Sequence, residues 1–278
     1  MLIAVDTGGT KTLVASFDEH GKLGEMLRFL TPVTPSHYID MLSDFLIKLY
    51  QDKDVDAIVI GIPATILGDV FLGAGNLPWR NFNVVEAVRN ALEDKEASFA
   101  KVPIVIENDA NLAGLAEVRS MKTIPARALY ITVSTGIGTG FITDGRIDPG
   151  LAQSEGGLIE LEWKGRLQRW EHFASGKAIK RTFGKYARDI KSKRIWNQVA
   201  DRISRGLVAI ITIARPEVII VGGSIGTYFD EYEVKLEQYL HERLPSYFPK
   251  PVIIQAKHPE QAVIYGCYYY ALDHLTTR

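Results

Sequence analysis

The stretch LIAVDTGGTKTLVASFDEHGK at residues 2–22 has a counterpart later in the chain, LYITVSTGIGTGFITDGR at residues 129–146. Both combine an apolar strand, a glycine turn that carries threonine, a second strand and a polar turn. Each therefore predicts a β-hairpin whose tip has few Cβ atoms. Either stretch alone is equally typical of an ordinary hairpin that needs positive φ angles. The repeat favours two related halves, each with a hairpin tip that a ligand can approach closely.

The rest of the chain alternates strand-like and helix-like segments. Apolar runs predict buried strands at residues 57–63, 102–106 and 217–223. Apolar residues spaced by three and four predict helices at residues 36–50, 84–94 and 195–214. This alternation predicts an α/β fold built from layers of sheet and helix.

Composition limits the classes of function. A chain of 278 residues that is 46% hydrophobic can bury a sizeable core and favours two lobes. The net charge of -1, with 32 basic and 33 acidic residues, argues against nucleic acid or a membrane surface as partner and favours small molecules. Cys267 is the single cysteine, which excludes an intramolecular disulfide framework and a thiolate-cluster metal site. No apolar run approaches the roughly 18 residues of a membrane span, and the N-terminus does not read as a signal peptide, so we expect a soluble cytoplasmic protein.

The first glycine turn, DTGGTK, has the residue types of a phosphate site. Gly8 and Gly9 are expected to present backbone N–H groups, Thr10 a hydroxyl and Lys11 a positive charge. Asp6 cannot bind phosphate directly, but it fits this place if Mg²⁺ lies between the two, directly or through water. The alternative is that Asp6 only stabilises the turn.

Two further glycine turns extend this interpretation. STGIGTG offers Thr135, Gly136 and Gly138 but no lysine, so it would contact phosphate through amides and a hydroxyl. In VGGS, Gly222 and Gly223 follow a strand, where a flat group such as adenosine can lie against the backbone, although a tight turn explains this pair as well. None of these turns matches GxxxxGK(S/T) or GxGxxG, which argues against a P-loop NTPase or a Rossmann dehydrogenase.

Polar residues crowd the end of the strand in IVIENDANLAGLAE, residues 104–117, where Glu107, Asn108, Asp109 and Asn111 follow apolar residues. Open α/β sheets bind ligands at the carboxyl ends of their strands. Asp109 stands where the N-cap of a helix over 110–120 falls, and capping, at about 1 kcal/mol, explains one such residue but not four. The other interpretation is that Asp109 accepts the proton of a sugar hydroxyl that attacks a phosphoryl group, with Asn108 bound to a hydroxyl.

These motifs together resemble the ROK family of sugar kinases and related repressors, in the actin-like ATPase superfamily. The resemblance covers nearly the whole chain and is carried, in order, by DTGGTK, GIP, NLPW, ENDANLAGLAE, STGIGTG, WEHFASGKAI and VGGS. It implies an α/β fold of two ribonuclease-H-like (actin-like ATPase) lobes with a central cleft. The first lobe would contain residues 1–108 and 262–278, and the second residues 109–261. It also implies a sugar, ATP and Mg²⁺ as ligands, and a homodimer.

The resemblance assigns roles residue by residue. Asp109 corresponds to the catalytic base. The implied sugar-binding positions are Gly61, Pro63, Asn76, Asn108, Glu155 and Glu171. The implied phosphate and nucleoside positions are Asp6, Gly8, Gly9, Thr10, Lys11, Thr135, Gly136, Gly138, Gly222 and Gly223, with Asp6 near Mg²⁺. Carboxylates suit sugars because charge-assisted hydrogen bonds to hydroxyls are about twice as strong as neutral ones, whereas a solvated surface is the alternative for Glu155 and Glu171.

The chain departs from the family pattern at one place. Where the family has E-x-G-H, this chain has EGGL, so Leu158 replaces a histidine that touches the sugar and binds zinc. The cysteine-rich segment that should follow is replaced by EWKGRLQRW at residues 162–170. We therefore expect no zinc site. The sugar group that the histidine reads would instead meet Leu158, water or a residue such as His172, for which a plain surface position is the alternative.

The leading hypothesis is an ATP-dependent hexose kinase that phosphorylates O6 of glucose. The alternatives are a polyphosphate-dependent glucokinase, an N-acetylhexosamine kinase or a fructokinase of the same family. A polyphosphate donor would suit the segment 176–194, which is rich in Lys and Arg, although a solvated helix face explains that segment equally well. A non-catalytic sugar-binding relative and a regulator are less favoured. The repressors carry a helix-turn-helix segment ahead of the first hairpin, and here that hairpin begins at residue 6.

Overall fold

The structure, a computed structural model, describes residues 1–75, 77–258 and 261–275. Its strands are Leu2–Thr7 (β1), Lys11–Phe17 (β2), Leu23–Leu30 (β3), Ala57–Ile62 (β4), Thr65–Leu67 (β5), Val70–Gly73 (β6), Arg80–Asn83 (β7), Ile104–Asn108 (β8), Arg127–Val133 (β9), Ile137–Thr143 (β10), Arg146–Ile147 (β11), Glu160–Trp163 (β12), Arg166–Arg169 (β13), Val218–Gly222 (β14) and Val252–Gln255 (β15). Its helices are Pro35–Tyr50 (α1), Val84–Glu93 (α2), Asp109–Arg119 (α3), Trp170–Ala174 (α4), Gly176–Phe183 (α5), Lys193–Ala214 (α6), Gly223–Gly226 (α7), Glu233–Arg243 (α8) and Ala262–Leu275 (α9). In these described ranges no helix has the length and the apolar character to cross a membrane.

The chain forms two compact units, and the first is built from two separate parts of the sequence. Unit 1 is Met1–Ala116 with Gln261–Arg278, and unit 2 is Glu117–Glu260. The boundary predicted between residues 108 and 109 thus lies inside α3, after Ala116. The physical reason is that Leu112 of α3 is fully buried in a core cluster of unit 1. Asp109 therefore belongs to unit 1, not to the second lobe as predicted.

Each unit contains one large sheet, and the two large sheets have the same topology. Within the described residues the strand orders are β3-β2-β1-β4-β8 and β11-β10-β9-β14-β15. In both, a hairpin and a further antiparallel strand form one side, and two parallel strands continue the other side. The two hairpins predicted from the repeat are β1–β2 and β9–β10. This repeated arrangement is the ribonuclease-H-like topology that we expected.

Both faces of the sheet in unit 1 are buried. Successive side chains of a strand point to opposite faces, so Ile3 and Val5 enter one core cluster while Leu2 and Ala4 enter another. The first cluster includes the apolar face of α1 and α2. The second is closed by α9, which contributes Ile264, Cys267 and Ala271. Burial on both faces explains why these strands are nearly continuous apolar runs.

The core of unit 2 forms around the long helix α6. The apolar face predicted for this helix is confirmed: its residues join one buried cluster with β9 and β14, namely Trp196, Val199, Ile203, Leu207, Ile210 and Ile211. The short helix α4 enters the same cluster through Trp170 and Phe173. Packing against α6 thus positions α4 beside the tip of the β9–β10 hairpin.

Candidate functional site

In unit 1, the carboxyl ends of three parallel strands bring two acidic residues into one row. Asp6 of β1 is in register with Gly61 of β4, and Gly61 is in register with Glu107 of β8. Neighbouring strands lie about 4.8 Å apart, so these two carboxylates flank the glycine on one face of the sheet. A Cβ atom on Gly61 would lie 2.5 Å from Cγ1 of Val263 and 2.9 Å from Cδ1 of Leu112. Gly61 therefore lets α9 and α3 pack close to the row.

Asp6 lies in an environment that disfavours its charged form. Burial raises the pKa of the Asp6 carboxyl to about 7, and the negative charge of Asp109 raises it further in the same direction. The two carboxylates are thus close enough to affect each other. Two acidic groups with different environments are a common feature of sites that handle protons or cations.

The N-terminus of α3 is capped by Asn108, which corrects our placement of the cap at Asp109. Oδ1 of Asn108 accepts hydrogen bonds from the backbone N–H groups of Ala110, at 2.8 Å, and Asn111, at 3.3 Å. Nδ2 of Asn108 donates to the carbonyl oxygen of Ala64, at 3.0 Å. The helix begins at Asp109. Capping therefore does not account for the carboxylate of Asp109.

Glu107 supports this capped helix start, a role that we did not predict. Its Oε1 accepts from the backbone N–H of Asn108, at 2.7 Å, and from Nδ2 of Asn111, at 2.9 Å. Burial raises the pKa of the Glu107 carboxyl, and these hydrogen bonds act in the opposite direction. The signal in the sequence was the presence of four polar residues where one cap suffices. The side chains of Glu107, Asn108 and Asn111 together fix the backbone from which Asp109 projects.

The first glycine turn is closed by its own hydrogen bonds. The backbone N–H of Gly8 donates to the carbonyl oxygen of Lys11, at 2.9 Å. We expected this N–H to contact phosphate, but the turn itself uses it. Thr31 holds the turn from the side, since its Oγ1 donates to the carbonyl oxygen of Gly8, at 2.7 Å. Gly9, Thr10 and Lys11 are exposed at the tip. The groups that can meet an anion are therefore on these three residues.

In unit 2, the second glycine turn lies against Glu171. The turn is closed by the N–H of Ser134, which donates to the carbonyl oxygen of Gly136 at 3.0 Å. A Cβ atom on Gly136 would lie only 2.7 Å from Oε2 of Glu171. Thr135 is exposed at the tip, and Gly138 is paired with Thr132 in the β9–β10 ladder. The structure thus brings together a predicted sugar-binding residue and a predicted phosphate-binding turn.

Glu155 precedes a turn that packs on the same hairpin. The backbone N–H of Gly156 donates to Oγ1 of Thr139, at 3.0 Å. A Cβ atom on Gly157 would lie 2.1 Å from the carbonyl oxygen of Ile137, so this close packing requires glycine. Glu155 is partly buried, whereas Leu158, at 43% relative exposure, does not pack into the core. Glu155 and Glu171 are therefore carried by segments that both rest on β9–β10.

The VGGS turn adjoins the start of this hairpin. A Cβ atom on Gly222 would lie 2.3 Å from the hydroxyl oxygen of Tyr130, and one on Gly223 would lie 2.7 Å from Oγ1 of Thr132. Gly223 also has φ of +78°, which favours glycine. Oγ of Ser224 donates to Oγ of Ser134, at 3.4 Å. Unit 2 thus gathers the nucleoside-type turn and the phosphate-type turn at one end of its sheet.

The remaining predicted residues lie elsewhere. Asn76 is outside the described residues. Pro63 is in the turn after β4, next to Ala64, the residue that accepts from Asn108. His172 is exposed, and its backbone carbonyl accepts from Arg181. In the described ranges no group of three or more His, Cys, Asp or Glu side chains could hold a metal ion. This observation does not test the expectation that the chain lacks a zinc site, which stays a prediction.

Comparisons with known proteins agree with this architecture. The family model described as ROK family matches residues 2–274. The fructokinase of Lactococcus lactis subsp. cremoris is 26% identical over 242 residues, which are 80% of this chain and 78% of that protein. The crystal structure of a ROK family glucokinase from Streptomyces griseus in complex with glucose and AMPPNP has a TM-score of 0.79 and 22% identity, with 98% of this chain and 99% of that chain covered.

A second solved structure is that of an enzyme named for two phosphoryl donors. The inorganic polyphosphate/ATP-glucomannokinase from Arthrobacter sp. strain KM has a TM-score of 0.71 and 28% identity, and the match covers 98% of this chain and 99% of that chain. These likenesses show that the chain has the actin-like ATPase fold that we predicted.

Proposed function

The chain belongs to the ROK family, and from this premise we propose that it is a sugar kinase, which transfers a phosphoryl group from Mg-ATP to a hexose hydroxyl. The leading acceptor is O6 of glucose. The similar proteins named above are a fructokinase, a glucokinase and a glucomannokinase, so a hexose acceptor is common to all three.

The observation that carries the proposal is the position of Asp109 at the start of α3, beside Asp6, on a helix that Asn108 caps. We assign the Asp109 carboxylate to the reaction because it follows the carboxyl end of β8 and lies close enough to Asp6 to raise the pKa of that carboxyl. It accepts the proton of the sugar hydroxyl as the hydroxyl oxygen attacks the terminal phosphoryl group. Such a general base contributes about 10²- to 10⁴-fold to the rate.

The Asp6 carboxylate fits Mg²⁺, bound directly or through water. Carboxylate oxygens are the ligands that Mg²⁺ prefers. Burial and Asp109 oppose the ionised form of Asp6 and hold its pKa near 7, and a cation at this place would relieve both effects. When bound, Mg²⁺ supplies positive charge to the phosphate oxygens. The exposed residues Gly9, Thr10 and Lys11 hold phosphate oxygens with backbone N–H, hydroxyl and ammonium groups.

The other assigned residues position the two substrates. Glu155 and Glu171 accept hydrogen bonds from sugar hydroxyls. Asn108 still has one N–H of its side-chain amide beyond the bond to Ala64, and that N–H suits a hydroxyl oxygen. The proposed sugar contacts also include Gly61, Pro63 and Asn76. The proposed nucleotide contacts in unit 2 are Thr135, Gly136, Gly138, Gly222 and Gly223.

The test is a panel of hexoses assayed with Mg-ATP for the wild type and Asp109→Asn. The variant keeps the shape of the side chain but cannot accept the proton, so we expect kcat to fall by about 10²- to 10⁴-fold while calorimetric sugar affinity changes little. Asp94→Asn, which alters an exposed carboxylate after α2, is the matched control and should keep full activity. Turnover that persists undiminished in Asp109→Asn removes Asp109 from this role.

Inorganic polyphosphate is a second candidate donor, favoured by one surface. The segment 177–194 exposes the basic residues Lys177, Lys180, Arg181, Lys185, Arg188, Lys191, Lys193 and Arg194. Asp189 is its one acidic residue. A long polyanion binds such a surface more strongly than ATP does, because more of its charges are neutralised at once. Support also comes from the 28% identity with the polyphosphate/ATP-glucomannokinase.

This donor is tested by parallel assays with ATP and polyphosphate. If polyphosphate is used at this surface, the double variant Lys185→Gln, Arg188→Gln raises the KM for polyphosphate and leaves the KM for ATP unchanged. Equal changes with both donors, or no turnover with polyphosphate, exclude this candidate.

A further inference from the structure

We propose that Trp163 and Arg202 are positioning residues, which brace the short helix α4 and thereby keep the carboxylate of Glu171 against the glycine turn at Gly136. The proposal deepens the proposed function, on which it rests for the assignment of Glu171 to the sugar. The brace itself consists of contacts inside unit 2.

Helix α4 cannot hold its own position. It contains five residues, Trp170–Ala174, whereas isolated helices shorter than about 12 residues are marginal in water. Its location is set by the two aromatic residues that flank Glu171. Trp170 is fully buried, and its Nε1 donates to the carbonyl oxygen of Arg202 at 3.0 Å. Phe173 stacks on Trp163, with ring centroids 4.9 Å apart and planes at 7°.

Arg202 joins these parts from α6. Its NH1 donates to the carbonyl oxygen of Phe173 and to Oγ1 of Thr182, both at 3.1 Å. Its guanidinium carbon lies 5.3 Å from the ring centroid of Trp163 and 4.8 Å from that of Phe183. These distances are typical of cation–π contacts, which are stronger where water is excluded. Arg202 therefore connects the C-terminal end of α4 to Trp163.

Arg202 is buried although it is charged, which indicates that the contacts of its guanidinium group offset the cost of burial. The residue is 2% exposed, and among the described residues its Nε has no hydrogen-bond partner. The neighbouring carboxylate of Asp201 accepts from Arg205 and Arg243. Burying a cation without a hydrogen-bonded anion is unfavourable, and an apolar side chain of similar size would fill the space at lower cost. The hydrogen bond to α4 and the two aromatic faces are what an apolar residue cannot supply.

Trp163 is the residue at which these contacts meet. It ends β12, opposite Arg166 of β13, so it belongs to the hairpin that leads directly into α4. A second guanidinium, that of Arg205, lies 5.0 Å from its ring centroid. At the base of the hairpin the N–H of Trp170 donates to the carbonyl oxygen of Ile159, at 2.7 Å. The hairpin, α4 and α6 thus form one braced unit around the indole ring.

The brace matters because the Glu171 side chain is flexible and its carboxylate lies close to Gly136. A Cβ atom at residue 136 would stand 2.7 Å from its Oε2, so the position of α4 decides where this carboxylate lies. A shift of about 1 Å in a substrate-positioning group can cost up to about 10²-fold in efficiency. Loosening α4 should therefore weaken sugar binding first, and leave the nucleotide contacts of the glycine turns less affected.

The test compares Trp163→Leu and Arg202→Met with the wild type. We expect the KM for the sugar to rise about tenfold in each variant, while the KM for ATP changes less than about twofold. Trp163→Phe keeps an aromatic stack on Phe173 and should restore most of the sugar affinity. Leu240→Ala, in the same core on α8, serves as the control for lost stability and should leave the KM for the sugar unchanged.

A double-mutant cycle shows whether the brace acts through Glu171. If it does, Trp163→Leu has no further effect on the KM for the sugar in a Glu171→Gln background. Amide hydrogen exchange of residues 170–176 should also be faster in Trp163→Leu than in Leu240→Ala, and this measurement does not depend on activity. The proposal is overturned if the effects of Trp163→Leu and Glu171→Gln on KM are additive, or if exchange at 170–176 is equal in Trp163→Leu and Leu240→Ala.

Failure of the proposed function gives a different result. A wild type that phosphorylates no sugar contradicts the kinase assignment, and the hydrogen exchange experiment then decides the brace alone. A Glu171→Gln variant with unchanged KM in an active enzyme removes Glu171 from sugar binding, and with it the functional meaning of the brace.

Discussion

At the scale of single residues, Asp6 links ionisation to stability. Its pKa of about 7 in the folded protein, against an ordinary value of 3.8, means that the folded state binds the proton more tightly than the unfolded chain does. The contribution of this carboxyl to stability is therefore largest below pH 4 and is lost as the pH rises to 7. In the metal-free protein, ionisation of Asp6 should lower the free energy of unfolding by the full amount, because no cation is then present to stabilise the carboxylate.

We predict that Asp6→Asn is more stable than the wild type at pH 8 in the presence of a chelator, by about 2 to 4 kcal/mol. The difference should shrink by up to about 1.4 kcal/mol for each pH unit between 7 and 4, because the wild-type carboxyl becomes neutral there. Urea unfolding at a series of pH values measures it, with Asp94→Asn as control. A stability difference that does not change with pH would contradict the raised pKa of Asp6.

Gly136 and Gly157 provide a second prediction. A Cβ atom at residue 136 would meet the end of a flexible side chain, Glu171, whereas one at residue 157 would meet the backbone oxygen of Ile137 at 2.1 Å. Gly136→Ala should therefore displace the carboxylate without unfolding the protein. We expect the KM for the sugar to rise about tenfold and Tm to change by less than about 3 °C.

Gly157→Ala is the matched comparison and should behave in the opposite way. Because the backbone itself must move, we expect a loss of about 1 to 3 kcal/mol in the free energy of unfolding. Thermal unfolding and initial-rate kinetics on both variants measure the two effects. A large loss of stability in Gly136→Ala with an unchanged KM would show that Glu171 does not occupy this position in solution.

The residue types of the site could be predicted from the sequence, but their exact roles could not. The crowding of Glu107, Asn108 and Asp109 after a strand indicated a site, because helix capping needs only one polar residue. Which residue forms the cap depends on the φ and ψ angles at the end of β8 and on the carbonyl of Ala64, forty-four residues away in the chain. The role of Gly8 could not be predicted either, because its N–H donates to the carbonyl oxygen of Lys11 within the turn.

At the scale of elements, α9 and α3 are held close by a glycine. A Cβ atom on Gly266 would lie 2.0 Å from the carbonyl oxygen of Leu112, so the two helices can approach only without a side chain there. The next residue, Cys267, is fully buried, and burial raises the pKa of its thiol. A buried thiol with a raised pKa reacts slowly, since the thiolate is the nucleophile. Its reactivity therefore reports how firmly α9 is docked.

We predict that Gly266→Ala separates α9 from α3 and speeds the reaction of Cys267 with a disulfide reagent. The rate should rise by at least about tenfold, which corresponds to a local loss of about 1.4 kcal/mol. Cys267 is the single cysteine of the chain, so the absorbance change has one source. Leu272→Ala, at a half-exposed position on the same helix, is the control. Equal rates in Gly266→Ala and the wild type would show that α9 accommodates the extra methyl group.

Long, regular elements were predictable, and short ones were not. The apolar spacing of α6 and the apolar runs of β4, β8 and β14 predict helix and strand from the local sequence alone. The hairpin β12–β13 and helix α4 have no such pattern. Their positions depend on contacts such as the stack of Trp163 on Phe173, which no local periodicity reveals.

At the scale of the whole molecule, the repeat of the glycine hairpins predicted two related units, and the identical strand orders confirm it. The boundary between the units was placed eight residues too early. A continuous helix, α3, runs across that boundary, so the sequence has no break in pattern there.

A chain that ends at His258 lacks α9 and should keep only one unit folded. One face of the unit 1 sheet would lose its cover, which includes Ile264 and Cys267. Among the residues that the structure describes, the core cluster of unit 2 contains none beyond Ile253. We expect hydrogen exchange to be fast across β1 and β4 and slow across β9 and β14. Protection of β1 equal to that in the full chain would contradict a structural requirement for α9.

The discontinuous first unit also sets the order of events on the ribosome. The strands of its sheet are translated early, but the helix that covers their second face follows only after all of unit 2. At about 5–20 residues per second, the intervening segment of roughly 150 residues takes on the order of ten to thirty seconds. The half of the protein that is made first is therefore completed last, and for that interval its uncovered apolar strands are a natural substrate for chaperones.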